Sequence, residues 1–150
     1  MATPRPRDMN EQHGAIVAVE NGEAPIDPAL HYRVVFAITK PPGGDAPHHD
    51  LIRVARFLTL LEEAGTRIAR SDVVAIVSGP ATTIVTRGDA VNPPLIDQLI
   101  ARGATIAVCG QALHHQGIDR DALCPGVRIH VSALSTLATL QLKGWALIPG

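Results

Sequence analysis

Cys109 is the residue that the sequence best places for chemistry. It ends the apolar run "ATIAVC" (104–109) and is followed by Gly110, Gln111 and a segment with the composition of a short helix. A thiolate attacks sulfur where a thiol does not, and unpaired N–H groups at the start of a helix stabilise that negative charge. Cysteine is also among the most buried residue types. The sequence therefore predicts either a reactive thiol or a packed side chain.

The two residues after Cys109 suit a reactive site. Gly110 has no Cβ, so the chain can turn sharply there and a donor sulfur can approach closely. Gln111 carries an amide that can hydrogen-bond a bound anion or a persulfide. The second cysteine, Cys124, precedes a proline in the turn "ALCPGV". We interpret Cys124 as structural rather than as a resolving thiol.

Four histidines stand in two adjacent pairs, His48 with His49 and His114 with His115. Together with nearby thiol and carboxylate groups they are ligand types that bind metals. Their spacing matches no established metal motif, and adjacent residues on a helix point about 100° apart, so at most one of the second pair faces the site. We interpret them as surface histidines and predict neither a metal nor a cofactor.

Two loops follow predicted strands and contribute further candidates. "KPPGGD" (40–45) has two glycines but neither glycine-rich phosphate-binding pattern, so we interpret it as a wide turn in which Lys40 adds positive charge. "SGPATT" (78–83) offers small and hydroxyl residues, including Ser78 and Gly79. This second loop either binds an anion through backbone N–H groups or caps a helix.

Alternating strands and helices must position these residues. Apolar and β-branched runs predict strands over 32–39, 72–78, 104–109, 127–132 and 145–149. Helical spacing and end signals predict helices from the N-cap Asp50 to Gly65 and over 92–103, 111–117 and 133–144. This order predicts an α/β fold with a doubly wound, mainly parallel sheet and helices on both faces.

The predicted topology brings separate segments to one edge of the sheet. In open parallel sheets, ligands and chemistry gather beyond the carboxyl ends of the strands. The residues expected to converge there are Thr39, Lys40, Ser78, Gly79 and Cys109.

Composition limits the classes of function. The net charge is −1 and the chain has one Trp, one Tyr and two Phe, so neither a basic field nor stacking rings favour a nucleic-acid partner. No apolar run approaches the roughly 18 residues of a membrane helix. Two cysteines in 150 residues are not a disulfide framework. We expect a cytoplasmic protein with one domain over 31–150 and an N-terminal arm over 1–30, either disordered or adding an edge strand.

The helix "ALSTLATLQL" has apolar residues around much of its surface. Such helices are usually buried twice, against their own sheet and against a neighbour. The pattern predicts a homo-oligomer.

Several segments in this order resemble the DsrE/DsrF-like sulfur-relay family. They are "SGPAT" after the second strand, "NPPLIDQLIARGATIAVCGQAL" through the third, and "ALSTLATLQLKGWALIP" near the end; the resemblance runs from about Tyr32 to Pro149. It implies a flavodoxin-like fold and a homotrimer or homohexamer. It also implies that Cys109, with Gly110 and Gln111 completing its motif, takes up sulfur as a persulfide from a donor protein and passes it to an acceptor protein.

One position departs from the family pattern. Many relatives read His-Gly-Pro-Ala after the second strand, whereas here Ser78 precedes Gly79. If that histidine helps to keep the thiol ionised, Ser78 offers only a hydroxyl. Two hypotheses follow: a sulfur-relay protein acting through Cys109, or a non-catalytic oligomeric module that binds a small ligand or anion, with Cys109 only lining the pocket.

Overall fold

A parallel five-stranded sheet forms the centre of the computed structural model, which describes residues 13–66 and 72–150. The strands stand in the order β4-β3-β2-β1-β5, and every neighbouring pair is parallel. Their bounds are β1 Val34–Ile38, β2 Val73–Val77, β3 Thr105–Cys109, β4 Arg128–His130 and β5 Ala146–Ile148. The predicted α/β architecture is confirmed.

Helices follow each of the first four strands. They are α1 His49–Glu63, α2 Pro93–Ala101, α3 Gly110–Gln116 and α4 Ala133–Leu142, with 3-10 helices at Gly79–Val85 and Arg120–Ala122. The predicted end of α1 is confirmed, because Gly65 has φ +70° just after the C-cap Ala64. None of the helices in the described ranges is both long enough and apolar enough to cross a membrane.

The predicted N-cap of α1 is wrong. The N-cap is His48, whose Nδ1 accepts a hydrogen bond of 3.1 Å from the backbone N–H of Asp50. Asp50 lies inside the first turn, where its buried carboxylate accepts a hydrogen bond of 3.1 Å from Arg53. The histidine ring therefore accepts from one of the backbone N–H groups that have no intrahelical partner in the first turn of α1.

The direction of the crossovers places helices on both faces of the sheet. From β1 to β4 the strands are added in one direction, and α1 and α2 cover one face over the larger hydrophobic core. The last connection returns across the sheet to β5, beside β1. Because crossovers are right-handed, this reversal puts α4 on the opposite face, where it packs through Leu137 and Leu140.

The face under α4 is only partly covered. Its buried cluster is small and consists of Val35, Val74, Ile76, Ala107, Cys109 and Ala133. Ala133 is the only buried residue of α4, while Leu134 is 83% and Leu142 is 89% exposed. The two exposed leucines therefore leave an apolar surface on the side of α4 that does not face the sheet.

The N-terminal arm adds no strand within its described part. Residues 15–30 form turns and irregular structure, and residues 1–12 lie outside the described residues. Gly14 lies tightly against α1, since a Cβ at that position would be 2.8 Å from the carbonyl oxygen of Ala55. The arm is therefore attached at residue 14 to the helix that covers the larger core.

Candidate functional site

A row of four side chains crosses the carboxyl ends of β1 to β4, and we call it the strand-end row. Cys109 pairs in register with His130 of β4. Val77 pairs with Val108 and Ile38 with Val77, so the next residues, Ser78 and Thr39, continue the row on the other side of Cys109. Side chains alternate along strands, so all four project on the face that carries α4. The row consists of Thr39, Ser78, Cys109 and His130.

Cys109 lies at the boundary between the sheet and the start of α3. It is the N-cap residue of this seven-residue helix, as the sequence predicts, but its side chain makes no capping hydrogen bond. It is 7% exposed and belongs to the same apolar cluster as Ile76 and Ala133. Because side chains alternate along β3, the Cys109 side chain projects on the α4 face, where those aliphatic side chains surround it. The thiol is therefore a buried group at the carboxyl end of β3 rather than an exposed nucleophile.

His130 is the residue that sequence reasoning missed. Its ring Nδ1 and the Thr136 hydroxyl are joined by a hydrogen bond of 2.8 Å, which fixes the ring. Burial, and then the charge of Arg128 two residues earlier, lower the pKa of His130 below its ordinary value. The ring is therefore neutral near pH 7. The structure thus places a neutral imidazole beside Cys109, on the side opposite Ser78.

Gly110 and Gln111 hold the end of β4 against the start of α3. A Cβ at position 110 would lie 2.9 Å from the carbonyl oxygen of His130, so only glycine allows this approach. The side-chain Nε2 of Gln111 donates a hydrogen bond of 3.0 Å to the carbonyl of Val131. Both residues therefore hold the backbone of His130 and Val131, at the end of β4, against the start of α3. Binding of an anion or a donor sulfur by these two residues stays a prediction.

Ser78 and Gly79 adjoin Cys109 across the β2 exit. Ser78 is half-buried and precedes the 3-10 helix Gly79–Val85 without a side-chain capping bond. Gly79 has φ +57°, which favours glycine, and its carbonyl accepts hydrogen bonds from Thr82 Oγ1 (2.8 Å) and Gln116 Nε2 (2.9 Å). This loop is thus tied to α3, and Ser78 is the residue next to Cys109 when the register of β2 with β3 is continued.

Lys40 is not brought beside Cys109. It is exposed at the exit of β1, and β2 lies between β1 and β3. Two strand spacings amount to about 10 Å. The carbonyl of Lys40 accepts a hydrogen bond of 2.8 Å from His48 Nε2. A role for the Lys40 side chain at the site stays a prediction.

The paired histidines do not form a metal site. Both ring nitrogens of His48 are engaged, one with the Lys40 carbonyl and the other with the Asp50 amide. His114 and His115 are exposed on α3. Within residues 13–66 and 72–150, no group of three or more His, Cys, Asp or Glu side chains is arranged to hold a metal ion.

Cys124 lies on the other side of the sheet from Cys109. It is buried in the larger core under α1 and α2, whereas Cys109 belongs to the smaller cluster under α4. Burial, followed by the nearby negative charge of Asp89, raises the pKa of the Cys124 thiol. The two cysteines are both free thiols, and the sheet between them supports a structural role for Cys124.

Comparison with known proteins places this geometry among related folds. The sequence model of the DsrE/DsrF-like family matches residues 32–149. Two solved structures are similar over 80% of this chain and 100% of theirs, each with a TM-score of 0.61: the protein of unknown function MTH1491 from Methanobacterium thermoautotrophicum (22% identity) and the ychN protein from E. coli (20% identity). At these identities the likeness shows the fold alone. No curated protein matches the chain.

Proposed function

This chain belongs to the DsrE/DsrF-like family, and from that premise we propose that it is a persulfide carrier, which accepts a sulfane sulfur on Cys109 and passes it to the thiol of a partner protein. The observation that supports this proposal is the register pairing of Cys109 with His130. A neutral histidine next to the thiol supplies the proton acceptor that Ser78 lacks.

The chemistry needs a proton acceptor for the Cys109 thiol and a route by which a donor sulfur reaches it. In the tautomer whose Nδ1–H donates to Thr136, His130 Nε2 keeps its lone pair, and we propose that it takes the proton of the Cys109 thiol. The thiolate attacks the outer sulfur of a donor persulfide, and a new S–S bond forms as the donor's S–S bond breaks. The donor leaves as a thiolate and takes the proton from His130. In the second half, an acceptor thiolate attacks the outer sulfur of Cys109 persulfide and releases the Cys109 thiolate.

The burial of Cys109 suits a carrier. Oxidation of cysteine follows thiolate character and exposure, so a persulfide on a residue that is 7% exposed is shielded between transfers. The same burial requires donor and acceptor to reach the sulfur at the strand-end edge.

The test is the mass of the protein after incubation with inorganic polysulfide. We expect the wild type and Cys124→Ser to gain one sulfur atom that a reductant removes, and His130→Gln to gain it more slowly. Cys109→Ser should gain none. A wild-type protein that gains no sulfur, or a Cys109→Ser variant that gains as much, would contradict the proposal.

A second candidate is a non-catalytic module that binds a small ligand or anion. It is favoured by the apolar surroundings of Cys109 and by the absence of a capping hydrogen bond to its thiol. Thermal stabilisation by a ligand, undiminished in Cys109→Ser and without any sulfur uptake, would support this module over the carrier.

We also propose that the chain is cytoplasmic and assembles as a homotrimer or homohexamer through the exposed side of α4. Leu134 and Leu142 are 83% and 89% exposed on this helix, which is costly for large aliphatic side chains in water. Light scattering at micromolar concentration should show the oligomer, and Leu134→Glu should shift it to smaller species. A monomeric wild type would refute this assembly.

A further inference from the structure

The part of the sheet that α4 leaves uncovered forms a groove of about 630 Å³, which we call the α4 groove. Val74 of β2 and Thr105 of β3 contribute to it from the sheet, α4 contributes Thr139 and Leu140, and Trp145 adds an indole. The volume lies within the roughly 300–1,000 Å³ of pockets that hold small organic molecules. A groove of this size with an apolar floor and a few polar groups is suited to a small ligand.

The polar groups of the α4 groove favour an anion. Arg128 lines it, and its guanidinium makes no hydrogen bond or ion pair with any residue in the described part of the chain. The Thr139 hydroxyl on the α4 side is likewise without a partner there. Among the described residues, none of those that line the groove is an aspartate or a glutamate. A guanidinium with no competing carboxylate is a ready partner for a carboxylate group.

The α4 groove meets the strand-end row at His130. This residue lines the groove and pairs in register with Cys109. Arg128 lies two residues earlier on the same strand and the same face, so its guanidinium and the imidazole share one wall. A molecule held through a carboxylate on Arg128 would extend along β4 toward the thiol.

We propose that the α4 groove binds a low-molecular-weight thiol that carries carboxylate groups, with a carboxylate on Arg128 and its sulfur toward His130. The proposal rests on the proposed function, and it assigns the persulfide form of that thiol as the sulfur donor. Its outer sulfur moves to Cys109 as its own S–S bond breaks, and the proton that left the Cys109 thiol returns to the released thiolate. Cys109 ends as the persulfide and the donor ends as the thiol, and no oxidant or reductant is consumed.

Trp145 makes binding measurable without sulfur transfer. It is the only tryptophan of the chain and lines the α4 groove, so its fluorescence reports occupancy directly. The probe is S-methylglutathione, a thioether with two carboxylates that cannot exchange sulfur. We expect a saturable change in emission for the wild type and for Cys109→Ser, and weaker binding of the diethyl ester of the probe.

Charge variants test whether Arg128 binds the carboxylate of the probe. Arg128→Gln should weaken binding about fivefold, the effect of losing one partly exposed ion pair, and Arg128→Lys should retain part of the affinity. The matched control is Arg56→Gln, which removes the same charge from an exposed position on α1, against the opposite face of the sheet. It should bind like the wild type.

The results that would contradict this inference differ from those that would contradict the proposed function. An unchanged Trp145 emission, or equal weakening by Arg128→Gln and Arg56→Gln, would overturn the inference whatever polysulfide does to Cys109. Emission that changes with protein concentration as subunits assemble, and not with the probe, would assign the groove to a second copy and also overturn it. Probe binding as expected without sulfur uptake by Cys109 would uphold the ligand class and refute the donor role together with the proposed function.

Discussion

Replacing Gly110 with alanine is expected to destabilise the protein and to displace β4 from Cys109. The new Cβ would lie 2.9 Å from the carbonyl oxygen of His130, and 3.4 Å from both Ile129 Cγ2 and the carbonyl oxygen of Val131. Two of these three atoms are backbone, so no side-chain rotation can relieve the contact. The strand end, or the first turn of α3, must move.

The magnitude follows from the size of this contact. Restoring an ordinary separation from the His130 oxygen requires a shift of about half an ångström. Overpacking a well-packed site by one methyl group costs about 1–3 kcal/mol. Alanine recovers up to about 1 kcal/mol because it loses less conformational entropy than glycine in a helix. With about 2 kcal/mol as the central cost and about 1 kcal/mol recovered, we expect a net loss of roughly 1 kcal/mol in the free energy of unfolding.

Urea unfolding at 25 °C measures this loss, with Gly88→Ala as the matched control. A Cβ at Gly88 meets nothing within 4 Å, and its φ is not in the left-handed region, so this variant should stay within about 0.5 kcal/mol of the wild type. Cys109 in Gly110→Ala should also be alkylated faster, because a shift of β4 or of the first turn of α3 loosens the packing around it. Equal stability of the two alanine variants would refute the argument that α3 and β4 pack tightly at this point.

Two further predictions concern titration. Because the pKa of His130 is lower in the folded than in the unfolded protein, the unfolded chain binds the proton first as the pH falls through about 6.5, and stability declines from there down to the folded pKa. Urea unfolding at pH 7.5 and 5.5 should show a smaller decline in His130→Gln, and equal declines would contradict it. Burial and Asp89 raise the pKa of Cys124, so alkylation of the native protein at pH 7.5, followed by peptide mapping, should leave Cys124 unmodified. Modification of Cys124 in native protein as fast as in urea would count against this reasoning.

The elements of the fold were predictable because their signals are local. The run "DVVAIVS" indicates a buried strand, and β2 is buried at every position. Helix ends were less predictable where a side chain could either cap the helix or form an ion pair within it. Asp50 has the residue type of an N-cap, but the ion pair with Arg53 draws it into the helix and leaves capping to His48.

The candidate site was predictable only where it depends on one segment. The run "ATIAVC" and the residues that follow it already place Cys109 at the end of a strand and before a helix. His130 was missed because its place beside Cys109 depends on the register of β3 with β4, which no local pattern states. The alternation in "VRIHVS" does put Arg128 and His130 on one face, and this was the available signal.

The order of elements, the strand-end cysteine and the family resemblance were determined by the amino-acid sequence itself, since each rests on neighbouring residues or on a recognisable run of them. Tertiary structure alone decided that His130 stands beside Cys109, that Gly110 receives the end of β4, and that α4 leaves a groove open on its face of the sheet. These features arise from pairing between segments far apart in the chain, and such pairing is chosen by the packing of the whole domain.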